Sequence, residues 1–235
     1  MTDDPIPRRR FLVGAGTALA TGLASTVPGE AQTSPTAVAA ARAEPAALLA
    51  LTATEAAFVS AAVDAFIPAD ELSPSGTDCG LVTFIDRQLA SAWGGGAKMY
   101  RSGPFQKGKP EQGYQLALTP KEFFEAGIAE ANAWSRKTYG KEFDRLAPAD
   151  RIAALKAMEG GKAEFVGLGS GPFFRALLAI AMEGFFSDPI YGGNRDKASW
   201  KMLGFPGLPA TYAGKFDEYL TKRYTAPPQS IADFS

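Results

Sequence analysis

SGPFFRALLAIAMEGFF, residues 170–186, is the stretch whose reading decides the fold. Ser170-Gly171-Pro172 opens it as helices open, with a small polar residue and a proline in the first turn. From Phe173 to Phe186 the only charges are Arg175 and Glu183. A helix that is apolar nearly all round has no solvent face, so this segment is expected at the centre of the molecule.

Working outward, the neighbouring segments read as helices too. Thr52 and Glu55 form a capping box, in which the threonine oxygen takes an orphan amide and the glutamate reaches back. Phe58, Val59, Ala62, Val63 and Phe66 follow at helical spacing, and Pro68 stops the run. A second helix is predicted over Leu81–Ala92, with Phe84, Ile85 and Leu89 on one face and Gly94-Gly95-Gly96 as its end. Residues 97–118 read as a long loop. Thr119-Pro120-Lys121-Glu122 combines a cap, a proline at the first position and a second capping box. Its helix carries Phe123, Phe124, Ile128, Ala131 and Trp134. A shorter helix after Pro148, carrying Ile152, Leu155 and Met158, closes at Gly160-Gly161. No segment sustains strand alternation with hairpin turns. The expectation is an all-α, irregular helical domain with long ordered loops, spanning 48–235.

The first 31 residues read as an address. Arg8, Arg9, Arg10, Phe11 and Leu12 make a twin-arginine pattern, and a mild apolar stretch, Val13–Val27, leads to Gly29-Glu30-Ala31 as a cleavage site. That stretch is too short and too mild for a membrane span. Residues 32–47, rich in Ala, Thr, Ser and Pro, read as a flexible lead-in. The expected location is the periplasm, reached by the twin-arginine pathway.

Composition closes off much chemistry. Among 235 residues there is no histidine and a single cysteine, Cys79. Histidine-dependent triads, His-ligated zinc and His-ligated haem are therefore excluded. One thiol makes neither an internal disulfide nor an iron–sulfur ligand set. Lys plus Arg total 24 against 25 Asp plus Glu, which leaves no electrostatic footprint for nucleic acid or anionic lipid. No catalytic, cofactor or metal residue is assigned. The carboxylates Asp64, Asp86, Glu183 and Asp188 have an acid/base reading and a bracing one, and nothing in their spacing pairs any two. Gly167-x-Gly169-Ser170-Gly171 lacks the preceding strand and lysine of a phosphate loop, so a helix-starting turn is the better reading. Cys79, in the turn Ser75–Gly80, fits a small buried residue, an intermolecular disulfide in an oxidising compartment, or a free thiol.

The richest segment is Glu183–Gly207, where Asp188, Pro189, Tyr191, Gly192, Gly193, Asn194, Asp196 and Trp200 stand within a few turns of one another. Two readings apply: a self-packed loop in which Asp188 and Asn194 bond their own backbone, and a recognition surface for a partner.

This segment, F-F-x-D-P-x-Y-G-G-N-x-D followed by Trp200 and Gly204-Phe205-Pro206-Gly207, resembles the small third subunit of gluconate 2-dehydrogenase-type complexes. Asp64–Asp70, Gly80–Asp86, Gly103-Pro104-Phe105, Gly113-Tyr114-Gln115 and Leu118-Thr119-Pro120 are similar to the same family. Together they cover roughly residues 50 to 210. The resemblance implies a complex: a large FAD subunit that oxidises a sugar acid, a c-type cytochrome subunit that passes electrons on, and a small subunit with no cofactor and no activity of its own, touching the membrane only through its partners. A chain addressed for export in the folded state, yet without ligands for a redox centre, is explained if its signal serves the cofactor-loaded flavoprotein.

Overall fold

The computed structural model describes residues 47–106, 108–109, 112–208, 211 and 213–234. The signal residues Arg8, Arg9, Phe11 and Leu12, and the lead-in up to residue 46, lie outside the described residues. The described residues form the expected all-α domain: α1 (Ala53–Phe66), α2 (Leu81–Ala90), α3 (Pro120–Tyr139), α4 (Pro148–Glu159), α5 (Ser170–Phe186), α6 (Ala198–Leu203) and α7 (Phe216–Tyr219), joined by long loops and 3₁₀ turns. Among these residues the one isolated bridge pairs Gly207 with Gln229. No described helix is long and apolar enough to cross a membrane.

Local chemistry starts the helices where the sequence indicates. Both capping boxes are made: Thr52 and Thr119 accept from the amides of Glu55 and Glu122, and each glutamate accepts from its cap amide at 2.7 Å. Those bonds hold the Glu122 carboxyl below the usual carboxylate range, the Thr119 amide contributing most. α2 ends at Ala90, two residues short of the predicted end. Ser91 turns extended there and its hydroxyl bonds the Gln88 carbonyl at 2.7 Å. Along α4 the buried face is Ala154, Leu155 and Met158, whereas Ile152 is exposed. Ile152 lies about 120° round the helix from Met158.

α5 is central as expected, packed against α2, α3, α4 and α6. Phe173 is fully buried and its ring lies 6.0–6.4 Å from those of Phe58, Phe123, Phe124 and Phe165. Such tilted and edge contacts add to the area that the rings bury. α3 approaches this ring closely because Gly127, mid-helix and buried, has no Cβ; one placed there would overlap the Phe173 ring.

Asp86, buried on α2, accepts amides from Leu49 (2.8 Å), Ala50 (2.9 Å) and Leu51 (2.9 Å). One carboxylate thus fixes the entry of the chain into α1 and satisfies three donors at once.

Gly127→Ala is expected to destabilise the domain by about 1–3 kcal/mol through overpacking of the Phe173 ring. That outweighs the gain of about 1 kcal/mol in helix propensity. Thermal unfolding checks it: a midpoint several degrees lower is predicted, and an unchanged or raised midpoint contradicts the socket.

Candidate functional site

Beyond α5 the chain folds back on itself in a compact loop built from its own polar groups. Asp188 caps the 3₁₀ turn Pro189–Tyr191, its Oδ1 accepting the Ile190 amide at 3.0 Å. Gly192 ends that turn in the left-handed region (φ 99°). Gly193 presses on the last turn of α5, where a Cβ would overlap the Gly184 carbonyl oxygen.

Asn194 is the pivot. Its side chain is wholly buried, and it adopts left-handed backbone geometry (φ 45°), which asparagine tolerates better than most residues. Its Nδ2 donates to the Ser187 carbonyl at 2.9 Å. Its Oδ1 accepts the Ser199 amide at 2.9 Å and the Ser199 hydroxyl at 2.8 Å. One amide therefore ties the end of α5 to the start of α6. Asp196 and Lys197 continue in left-handed geometry, a local strain held by these bonds. Trp200, buried on α6, donates its indole N–H to the Phe186 carbonyl at 3.0 Å and packs edge-on against Phe205 at 5.2 Å.

Two further segments lock onto this loop. The Arg195 amide donates to the Cys79 carbonyl at 3.0 Å, seating the loop on the Ser75–Gly80 turn. From the other side the C-terminal segment folds in. The Ile231 amide donates to Asp188 Oδ2 at 2.9 Å, Lys197 pairs with Asp233 at 2.6 Å, and Gln229 exchanges backbone bonds with Pro206 and Leu208. Lys197 holds the Asp233 carboxyl below the ordinary carboxylate range, helped by the Ser230 amide.

With the polar groups turned inward, apolar ones face out. Phe186, Ile190, Tyr191, Leu203 and Phe205 are each exposed, Tyr191 by 52% and Phe205 by 45%. Beside Phe205 a cavity of about 440 Å³ opens, lined by Gly204, Pro206, Phe216, Tyr219, Leu220 and Tyr224.

The four candidate carboxylates are not gathered in one place. Asp64 accepts the Thr77 amide at 2.8 Å, Asp86 holds residues 49–51, and Asp188 serves its own turn and the tail. Glu183, on α5, has its carboxyl raised by partial burial. The bonds to residues 49–51 and 231 span sequence separations that carry no pattern, so the spacing gave no sign of them. Cys79 is 1% exposed, and its thiol faces the Pro74 carbonyl at 3.6 Å. Burial, reinforced by the nearby Asp78 charge, pushes it up from 9.0 to about 11. An intermolecular disulfide at this thiol requires the turn to open first. Among the described residues no cluster of three or more acidic or cysteine side chains is arranged to hold a metal.

The model of one protein family, gluconate 2-dehydrogenase subunit 3, matches residues 53–207, well over half of the chain. The chain belongs to that family. The match runs from the first helix through Gly207 and so contains the whole loop, while the tail that closes over Asp188 lies beyond it. No curated protein and no solved structure matches the chain.

Asn194→Ala is expected to cost about 2–4 kcal/mol, because it strands the buried Ser199 and Ser187 groups and forces alanine into left-handed geometry. Chemical denaturation checks it, and a loss below about 0.5 kcal/mol, the size of an ordinary surface change, contradicts the pivot. Burial raises the Cys79 thiol to about 11, so at pH 9 far less of it is ionised in the fold than in the unfolded chain. Alkylation at that pH should be slow in native protein and rapid in denaturant; rapid native labelling contradicts the burial.

Proposed function

We propose that this member of the gluconate 2-dehydrogenase subunit 3 family is the non-catalytic accessory subunit of a flavin-dependent dehydrogenase complex, with the outward face of residues 186–205 as its seat on the FAD-containing large subunit. The observation that carries the reading is the inside-out loop. Asp188, Asn194 and Trp200 spend their hydrogen bonds on the chain's own backbone, and Ile190, Tyr191 and Phe205 are left for something else to cover. Rigid aromatic side chains on a pre-organised segment lose little entropy on binding. The loop need not fold on contact, because its geometry is fixed from within.

The remaining parts follow from this role. FAD and haem c belong to the partners: the large subunit oxidises the substrate, and a c-type cytochrome subunit carries the electrons onward. The twin-arginine leader, residues 1–31, takes the chain and its folded flavoprotein together to the periplasm. The complex meets the membrane through the partners. The family match supports membership of a multi-subunit dehydrogenase; the leader pattern supports the route.

Co-expression with the flavoprotein tests the reading. Wild-type chain, captured by a C-terminal tag, is expected to bring down flavin absorbance in a fixed ratio. Ile190→Asp with Tyr191→Asp, both at exposed positions, should lower that yield roughly tenfold or more with an unchanged unfolding midpoint. Full flavin recovery by the double variant contradicts this seat, and no flavin with wild type contradicts the subunit role.

A further inference from the structure

Past Leu203 the chain turns an apolar cavity outward. Gly204, Phe205 and Pro206 line one part of it, and Phe216, Tyr219, Leu220 and Tyr224 line the rest, together with Lys215. Its volume of about 440 Å³ lies within the range of ligand pockets. Phe216, Tyr219 and Leu220 are spaced i, i+3 and i+4, so the short α7 turns all three side chains to one side. Phe216 is 64% exposed and Leu220 65%: the core leaves this side of α7 uncovered.

Cations stand around these rings. Lys215 Nζ donates to the Tyr224 hydroxyl at 3.1 Å and lies 5.1 Å from the centre of that ring. Lys222 Nζ lies 5.0 Å from the centre of the Tyr219 ring. The Arg223 guanidinium comes over Gly204, where a Cβ would stand 2.8 Å from its Nη2. It has no ion pair or hydrogen bond among the described residues. The carboxylates of the segment do not neutralise this group. Glu218 pairs with Lys222 at 3.2 Å, and Asp217 does not line the cavity. The Tyr224 hydroxyl, with smaller help from Tyr219 and Glu218, holds the Lys215 ammonium above the usual lysine range, so it stays charged at neutral pH.

Aromatic walls beside cations that lack a carboxylate complement a bulky apolar group with negative charge next to it. The position of the cavity points to a protein as the bearer of that group. Phe205 belongs both to the cavity and to the outward face of residues 186–205, and its ring is set against buried Trp200 at 5.2 Å. A partner lying on that face runs directly onto the cavity. We propose that the cavity takes an acidic segment of the FAD-containing subunit. One bulky apolar side chain of that segment enters between Phe205, Phe216 and Leu220, and its neighbouring carboxylates meet Lys215 and Arg223. The inference rests on the partner role proposed above and adds to it the chemistry that the partner must present.

Co-expression with the flavoprotein, capture of the full chain and measurement of flavin absorbance test the assignment. Leu220→Trp, at an exposed position where the larger ring crowds the cavity, is expected to lower flavin recovery about fivefold or more. Arg223→Glu should lower it by a similar factor, and Arg223→Lys should keep most of it. All three variants should unfold at the wild-type midpoint; a lower midpoint for Arg223→Glu contradicts a guanidinium free of partners in the chain. Wild-type flavin recovery by Leu220→Trp or by Arg223→Glu overturns the proposal, and the loop seat still stands if Ile190→Asp with Tyr191→Asp loses flavin. No flavin with the wild-type chain removes the subunit role and this inference with it. Binding of the wild-type chain to phosphatidylglycerol vesicles that Leu220→Trp abolishes, with flavin recovery unchanged, assigns the cavity to lipid and overturns the proposal.

Discussion

The buried amide of Asn194 is the constraint on which the rest of the loop beyond α5 depends. It reaches the last carbonyl past α5 with its nitrogen and the first turn of α6 with its oxygen. No other neutral side chain offers two donors and an acceptor on so short a stem in left-handed geometry. Once it is in place, Trp200 meets the Phe186 carbonyl, Gly193 closes on Gly184, and the path from Asp188 to Phe205 has little freedom left. A loop fixed in this way presents the same apolar side chains whether or not anything covers them.

The interior gives that loop a rigid base. α5 is held by helices on several sides, with Phe173 seated against Gly127. Its far end delivers Gly184, Phe186 and Ser187 to the loop. Its near end starts at Gly169 without a side-chain cap. The tail from Gln229 to Phe234 adds a clamp on Asp188 and Lys197, beyond the residues that match the family.

Much of this was legible in the sequence because its causes are local. Both capping boxes lie within three residues, and the near-continuous apolarity of 170–186 pointed to a central helix. Asp188 and Asn194 bonding their own neighbourhood was one of two readings of the loop, and the hydrogen bonds make it. The illegible part is the long-range part. Asp86 grips residues 49–51 and Asp188 grips Ile231, because tertiary packing happens to bring those amides near a carboxylate; no periodicity encodes such meetings. The end of α2 was misplaced because Ser91 prefers its own back-bond to another helical turn. That Ile152 stays exposed while Leu155 and Met158 are buried is likewise set by tertiary packing, since apolarity alone does not say which of two adjacent stripes the core will take.

Hydroxyl-radical footprinting of the full chain, alone and bound to its flavoprotein, tests the central claim most directly. The account predicts that Tyr191 and Phe205 are labelled in the free chain and protected in the complex, while Tyr100, exposed by 82% on the 97–118 loop, stays labelled in both. Continued labelling of Tyr191 and Phe205 in the complex, with protection falling on another face, would contradict it.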